Sequence, residues 1–294
     1  GLIGYGGMGR WHTEILSNVP EAVIGGIYDI KEEKREEAKE KGFSVYETEE
    51  AMLADPDIDV VLIATPNDCH KPIAIRAMHA GKNVISEKPV TLSSADLLEM
   101  ENAAKETGKL LTVHQNRRWD DDFLIIKKLV EEQKLGHVFR IESRVHGSRG
   151  IPGDWRKEKV HGGGMVLDWG VHLLDQILYM YGDRKIETVY ASLTNVTNQE
   201  VDDGFTAILT FEGGTEVLVE VGTNNYISLP RWYVLGEDGT AVIRDWQLNG
   251  EIIRKTGMTE ETVVPVKTAA GLTKTMAPRR EDTIVKEDLP KVSG

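Results

Sequence analysis

Leu2-Ile-Gly4-Tyr5-Gly6-Gly7-Met8-Gly9-Arg-Trp-His-Thr-Glu-Ile-Leu16 decides how this chain begins to fold. Two apolar residues lead into a G-x-G-x-x-G loop, and the loop leads into a helical run from Met8 to Ser17. In such a turn Gly4 permits the tight reversal, Gly6 lets backbone approach a pyrophosphate, and Gly9 lets helix and strand pack closely. The helix N-terminus then offers unpaired N–H groups and the positive end of its dipole to the anion. Glycine-rich turns also arise for packing alone, so the loop is weighed with the acid that follows it. Asp29 ends the next apolar run, Ala22 to Asp29, at 25 residues after Gly4. A carboxylate at that spacing accepts hydrogen bonds from the adenosine ribose and repels a 2′-phosphate. NAD is therefore the expected cofactor and NADP the less favoured one, with Lys31 and Lys34 tempering the preference. As N-cap of a helix from Lys31 to Lys41, Asp29 serves structure as well.

Outward from the loop, strands and helices alternate. Strands are expected at Leu2-Ile3, Ala22 to Asp29, Asp59 to Thr65, Asn83 to Ser86 and Leu110 to His114, with helices at Met8 to Ser17, Lys31 to Lys41, Lys71 to Ala80 and Ala95 to Thr107. Asp59-Val-Val-Leu-Ile-Ala-Thr65 is apolar without alternation, as a central strand covered on both faces must be. Past Arg118 the pattern changes to a helix (Phe123 to Gln133), a strand (Val138 to Val145), a second helix (Met165 to Tyr181) and then hairpins. On that second helix Leu167, Val171, Leu174 and Leu178 are expected to face the core. Phe205, Ala207, Leu209 and Phe211 alternate with Thr206, Ile208 and Thr210, Glu212-Gly-Gly214 turns into Val217, Val219 and Val221, and Gly236-Glu-Asp-Gly239 turns again. The expected fold class is α/β: an N-terminal Rossmann domain (1–117) with a doubly wound parallel sheet, and a C-terminal α+β domain (118–294) with a largely antiparallel open sheet.

Composition fits two domains. The 294 residues are 40% hydrophobic and 28% charged, too apolar for disorder and too polar for a membrane protein. The longest apolar run, Val60 to Ala64, cannot cross a bilayer. A net charge of −13 repels nucleic acid and anionic lipid. The one cysteine, Cys69, excludes an internal disulfide and a thiolate-rich metal site, which fits a cytoplasmic protein. No basic-then-apolar leader is visible. Only two apolar residues precede Gly4, against about five or six in an ordinary strand, so residues upstream are expected. After Val266 the chain is rich in charge, Thr and Pro without an apolar period, as expected of a surface segment whose partner lies beyond Gly294.

Two further stretches carry chemistry. Glu87-Lys88-Pro89 follows a strand, where the carboxyl end of a parallel sheet opens onto a cofactor crevice, and Pro89 confines Lys88 to extended backbone. A lysine there can donate a proton or hydrogen bond to an oxygen whose charge changes in hydride transfer. A plain surface lysine fits the residues too. Gly162-Gly-Gly-Met-Val-Leu-Asp168-Trp-Gly-Val-His172-Leu-Leu-Asp175 reads as a flexible loop and a helix, with Asp168 and His172 at i and i+4. That spacing lets the carboxylate orient the imidazole, as an acid/base dyad or as a structural pair. His161, His172 and Asp168 could ligate a metal, but nicotinamide chemistry needs none, and no metal is expected. Trp119, Trp155 and Trp169 can stack on sugar faces, and Arg118, Arg149 and Arg156 can hold hydroxyls or anions. The loop Ser148-Arg-Gly-Ile-Pro-Gly-Asp-Trp155-Arg is the expected specificity loop.

Together these stretches resemble the Gfo/Idh/MocA family of glucose-fructose oxidoreductases and inositol dehydrogenases. The resemblance rests on GYGGMG at Gly4 to Gly9, Ala64-Thr-Pro-Asn67-Asp-Cys-His70, Ala80 to Pro89, Asn116-Arg-Arg118-Trp-Asp, and Gly162 to Asp175. It implies NAD(P)-dependent oxidation of a sugar or polyol hydroxyl and a second domain whose open sheet builds a homodimer or homotetramer. It implies Lys88, Asp168 and His172 as catalytic residues. Cofactor contacts are expected at Gly4, Tyr5, Gly6, Gly7, Met8 and Gly9, at Asp29 and Ile30, at Thr65, Pro66, Asn67 and His70, and at Glu87 and Lys88. Substrate contacts are expected at Arg118, Trp119, Trp155, Arg156, Asp168 and His172. The Lys88–Pro89 bond is expected to be cis. Asp121 departs from the proline that relatives often carry, and the family's closing C-terminal helix is absent. The same fold also supports hydrolases or lyases that use NAD transiently, and a non-catalytic NAD sensor is the remaining alternative.

Overall fold

The alternation near the N-terminus folds as β1 (Leu2–Ile3), α1 (Gly7–Leu16), β2 (Ile27–Tyr28), α2 (Glu32–Glu40), α3 (Glu49–Ala54), β3 (Val60–Ile63), α4 (His70–His79), β4 (Asn83–Ser86), α5 (Ser94–Thr107) and β5 (Leu111–Val113). The computed structural model describes residues 1–258, 265–273 and 278–294. It divides into two compact units, one of Gly1–Gln115, Ile151–Val171 and Asn198–Val201, the other of Asn116–Gly150, His172–Thr197 and Asp202–Gly294.

In the first unit the five strands form a parallel sheet in the order β2-β1-β3-β4-β5. The apolar run 60–63 is its middle strand, as expected. Alternate residues feed two cores. Ile3, Val61, Ile63 and Val84 meet Ile73, Ala77, Met78 and Met100, while Leu2, Ile27 and Leu62 meet Tyr5 and Ala38. Burial on both faces is what removes the polar alternation from these strands. β2 is much shorter than the run Ala22 to Asp29, because its one strand partner is the two-residue β1 and its other side meets only a single bridge, Ile27 to Val45. Helix α3 was not anticipated; Thr48 caps it by accepting from the Ala51 N–H at 3.1 Å, ahead of Glu49 and Glu50 in the first turn.

The second unit carries α6 (Asp121–Glu131), β6 (Val138–His146), α7 (Val171–Tyr181, from His172 onward), β7 (Ile186–Thr194), β8 (Gly204–Phe211), β9 (Glu216–Gly222), β10 (Trp232–Gly236), β11 (Gly239–Ile243), β12 (Gly250–Lys255), a small hairpin β13 (Val266–Thr268) and β14 (Gly271–Thr273), and β15 (Ile284–Glu287). Eight of these strands form one sheet, β15-β12-β11-β10-β6-β9-β8-β7, antiparallel except for the β6–β9 pair. Both expected hairpins are present, with Gly236 opposite Gly239. Phe205, Ala207, Leu209 and Phe211 are buried on one face with Val217, Val219 and Val221. The other face carries ion pairs, Arg140 with Glu216 and Arg144 with Glu220. Among the described residues no helix is long and apolar enough to cross a membrane.

The tail after Val266 is mostly exposed among the described residues, as expected of a surface segment, but it also adds a strand to this chain's own sheet: β15 pairs with β12, and Glu287 accepts from Arg254 Nε at 2.7 Å. A four-residue edge strand is too short to show a period, while residues 274–277 of that tail lie outside the described residues. The helix expected over Met165 to Tyr181 begins instead with a π turn, Val166–Gly170. Its buried positions run Met165, Gly170, His172, Leu173, Gln176 and Ile177, whereas Leu178 is 44% exposed. The five-residue step from Met165 to Gly170 belongs to the π turn and moves the core face off the α-helical one assumed from sequence.

α6 is fastened to β10 through Asp122. Its Oδ2 accepts from Arg231 Nη2 at 2.6 Å and Trp232 Nε1 at 3.0 Å, and all three residues are buried. Removing one member of a buried pair strands the other charge. Asp122→Ala is expected to cost about 3–5 kcal/mol in urea unfolding; a loss under about 1 kcal/mol would show that the unit does not depend on this pair.

Candidate active site

The order of strands reverses between β1 and β3, and a crevice opens beyond the carboxyl ends of strands at such a point. Gly4 follows β1 there with φ +97°, and its N–H bonds to Tyr28 O at 2.8 Å. A Cβ on Gly4 would lie 2.4 Å from Ala64 O, and one on Gly9 2.1 Å from Gly4 O. Gly6 and Gly7 have nothing within 4 Å of a built Cβ. Two glycines therefore serve packing and two leave space. Gly6 is the N-cap of α1, no side chain caps the helix, and its first turn carries no acid. Its end is thus fit to receive an anionic pyrophosphate.

Asp29 accepts Tyr5 N–H on Oδ2 at 2.7 Å and Lys31 N–H on Oδ1 at 2.9 Å. It therefore braces the glycine loop and turns the chain, while the N-cap of α2 is Lys31 and not Asp29. Ile30 is exposed; the Tyr5 side chain is fully buried, edge-on to Phe43. Only Tyr5 backbone, not its ring, faces the loop's chemistry. Pro66 begins a short 3-10 turn, Asn67–Cys69. Asn67 is 3% exposed and donates to Gly162 O at 2.8 Å, and His70, wholly buried, lies 3.0 Å from Thr65 O and 2.8 Å from Pro89 O. Burial pushes the His70 imidazole below its ordinary value against the pull of those carbonyls.

Lys88 sits after β4, and the Lys88–Pro89 bond is cis. Its Nζ donates to Asp168 O at 2.8 Å and Asp168 Oδ1 at 3.1 Å. Arg156 Nε reaches the same Oδ1 at 3.2 Å. Burial raises the Asp168 carboxyl, but the charges of Lys88 and Arg156 outweigh it and hold the group below the ordinary carboxylate range. Trp155, half-buried, lies beneath Arg156 with the guanidinium 4.7 Å from its ring. The triple-glycine stretch is not a flexible loop: Gly162, Gly163 and Gly164 are buried, and a Cβ on Gly163 would meet Arg156 O at 2.3 Å. One unit thus brings Lys88, Asp168, Arg156 and Trp155 together.

The remaining predicted residues belong to the second unit. His172 is 5% exposed on α7. Arg118 forks onto Asp175 at 2.7 and 2.6 Å and covers the Tyr179 ring, and Trp119 is 66% exposed. Sequence reasoning missed His12 and His114. His12 Nε2 is 2.6 Å and His114 Nδ1 3.0 Å from Glu87 Oε1, and Glu87 Oε2 accepts Lys88 N–H at 3.2 Å. Burial works against the Glu87 charge, yet the two histidine hydrogen bonds bring its pKa down to about 2. The signal was present in the sequence: His114 closes the last expected parallel strand, at the same sheet edge as Glu87.

A parallel sheet with a glycine loop of this kind is the fold of a dinucleotide-binding domain. Residues 1–115 match the family model described as oxidoreductase family, NAD-binding Rossmann fold, and residues 123–242 match the GFO/IDH/MocA C-terminal domain. The chain belongs to the Gfo/Idh/MocA oxidoreductase family. A solved NAD-binding protein from Listeria innocua is 52% identical with a TM-score of 0.96, covering 100% of this chain and 85% of that one. The scyllo-inositol 2-dehydrogenase (NADP(+)) IolW of Bacillus subtilis is 31% identical over 82% of this chain and 67% of its own length. Levoglucosan dehydrogenase in complex with NADH and L-sorbose is 26% identical with a TM-score of 0.75, over 88% and 76% of the two chains. The match to the uncharacterized oxidoreductase YdgJ of Escherichia coli, 36% identical, covers 62% of this chain and 53% of YdgJ, about half that relative's length.

The two kinds of glycine can be told apart in solution. Gly6→Ala is expected to leave thermal stability unchanged while weakening NADH binding about tenfold or more, and Gly9→Ala to lower stability by about 1–3 kcal/mol. Equal affinity for NADH in Gly6→Ala and the wild type would remove that space from the cofactor site.

Proposed function

We propose that the protein is an NAD-dependent dehydrogenase that oxidises a CH–OH group of a sugar or polyol, NADP being the weaker partner. The observation that carries this reading is Lys88 Nζ held on Asp168 at the carboxyl side of a parallel sheet whose glycine loop is open at Gly6. Residues 1–117 act as the cofactor domain and 118–294 as the substrate and assembly domain. A cytoplasmic location is part of the same reading, supported by the single cysteine.

When bound, the nicotinamide supplies the hydride acceptor. The Lys88 ammonium donates a hydrogen bond to the substrate hydroxyl oxygen and stabilises it as negative charge develops. Asp168 holds that ammonium in place. His172 takes the hydroxyl proton on a ring nitrogen, so that the alcohol loses a hydride and a proton and leaves as the carbonyl. Arg156, stacked on Trp155, offers a second donor set to a neighbouring hydroxyl or acid group. Buried Asn67 and His70 hold the loop that lines the cofactor; Trp119 and Arg118 belong to the substrate side.

NADH formation with a panel of hexoses, inositols, glycosides and sugar acids tests the activity. Lys88→Ala and His172→Ala are each expected to lower kcat/KM at least about a hundredfold on the best substrate. Losses under about tenfold, equal to about 1.4 kcal/mol, would sink the assignment of both residues. Turnover of a glycoside without NADH accumulation would point to transient redox instead.

Assembly is proposed through the open face and outer edge of the eight-stranded sheet. Val189, Tyr190 and Leu193 on the edge strand β7 are 55–64% exposed, and Tyr190 shares the face of the charged ladder of β6 and β9, from which β8 separates it. Light scattering is expected to give a dimer or tetramer, and Tyr190→Glu to shift it toward monomer; a monomeric wild type would remove the proposal.

A further inference from the structure

We propose that His12, Glu87 and His114 form a buried clamp that positions Lys88, and that Glu87 acts through the lysine's backbone without touching the cofactor. The inference rests on Lys88 being the lysine that meets substrate. Three elements contribute one residue each: His12 from α1, whose first turn forms the glycine loop, Glu87 from the end of β4, and His114 from the end of β5. His12 is 4% and Glu87 5% exposed. Oε1 of Glu87 is shared between the two imidazoles and Oε2 is taken by Lys88 N–H. Both carboxylate oxygens thus already have protein donors. The imidazoles pack edge to face, centroids 4.7 Å apart, and the Trp11 ring closes on both of them at 5.3 and 5.8 Å.

On the other side of Lys88, Pro89 O lies against His70 Nδ1 at 2.8 Å. The backbone before and after Lys88 is therefore anchored within one residue each way. Of a lysine's rotatable freedom only the side chain remains, and its Nζ ends on Asp168. Misplacing such a group by about 1 Å costs on the order of a hundredfold in rate, so the anchors bear directly on turnover. A long, flexible side chain gains most from this, because its own rotamer entropy works against a single position.

The three donor atoms also lie within 4.8 Å of one another, as metal ligands do. The distances favour shared protons. Ligands about 2.1 Å from a tetrahedral zinc sit about 3.4 Å apart, whereas His12 Nε2 and Glu87 Oε1 are 2.6 Å apart, within the span of a charge-assisted hydrogen bond.

The test reads Lys88 directly. The intact protein is acylated with a water-soluble succinimidyl ester, and Lys88 is followed by peptide mass spectrometry against exposed Lys105. In Glu87→Gln and His114→Ala the Lys88-to-Lys105 labelling ratio is expected to rise about threefold or more, and in His114→Asn, which keeps an N–H near the Nδ1 position, to return toward wild type. Half-exposed His114 keeps the test available if Glu87→Gln does not fold. Where turnover is measurable, kcat falls about fivefold or more while KM for the substrate and NADH affinity stay within about twofold. An unchanged labelling ratio overturns the clamp. So does a loss of NADH affinity that matches the loss of kcat, because Glu87 would then be a cofactor contact. One equivalent of zinc retained through dialysis by the wild type and lost in His114→Ala overturns it in favour of a metal centre. If the wild type oxidises no polyol, the proposed function fails, yet the labelling ratio still decides the clamp.

Discussion

The first unit is arranged around a backbone contact that no side chain survives. At Gly4 a Cβ would stand 2.4 Å from Ala64 O, and at Gly9 2.1 Å from Gly4 O. β1 and β3 can run side by side, with α1 rising directly from β1, only because both positions lack a Cβ. That closeness sets the start of α1 against the carboxyl ends of the central strands, next to the Thr65 turn. It also places His12, one turn into the helix, at the ends of β4 and β5. The glycine loop therefore does more than make room for phosphates: it fixes the distance between cofactor helix and lysine segment.

Asp168 is the second organising group, and its surroundings explain why a carboxylate stays charged out of water. A lone buried carboxylate would shift its pKa upward. Lys88 and Arg156 lie 3.1 and 3.2 Å from its Oδ1. Each contact is worth about 5 kcal/mol of gross attraction at an effective dielectric of about 20, before desolvation is subtracted. Together they outweigh burial, which is the direction the group takes. Asp154 pairs with Arg156 at 2.7 Å, so the two cations face two carboxylates and the cluster carries no net charge. An oxygen that gains charge next to Lys88 would be met by the ammonium itself and not by a net positive field.

Much of the fold was legible because burial writes its own period. The run Val60 to Ile63 lacks polar alternation since both faces are covered, and Phe205 to Phe211 alternates since one is. What was illegible depended on short or irregular geometry. β15 is too short to show a period, and the edge position of β2 is a property of the sheet rather than of its residues. The π turn at Val166–Gly170 changes the helical step, so an α-helical wheel assigned Leu174 and Leu178 to a core that Leu173 and Ile177 occupy. Within the site, Lys88 and Asp168 stand in two separate motifs of the sequence, and their meeting is a property of the fold. His12 and His114 were passed over, although His114 closes the last parallel strand, because the two are far apart in sequence and meet only at Glu87.

The overall charge of −13 looks hostile to a dinucleotide, but the relevant field is local. At physiological ionic strength, charges are screened over about 8 Å, so only nearby carboxylates count at the start of α1, and Glu37 of α2 is paired with Arg10 there at 2.9 Å. There the first turn holds no acid and no capping side chain. The nearest carboxylate in the argument, Asp29, already accepts the Tyr5 and Lys31 N–H groups. Those bonds orient it and offset part of its charge, while each oxygen keeps capacity to accept a ribose hydroxyl. An added 2′-phosphate would face the same carboxylate without a proton to share. The acidic chain can thus offer helix-end N–H groups to a pyrophosphate in spite of its overall charge.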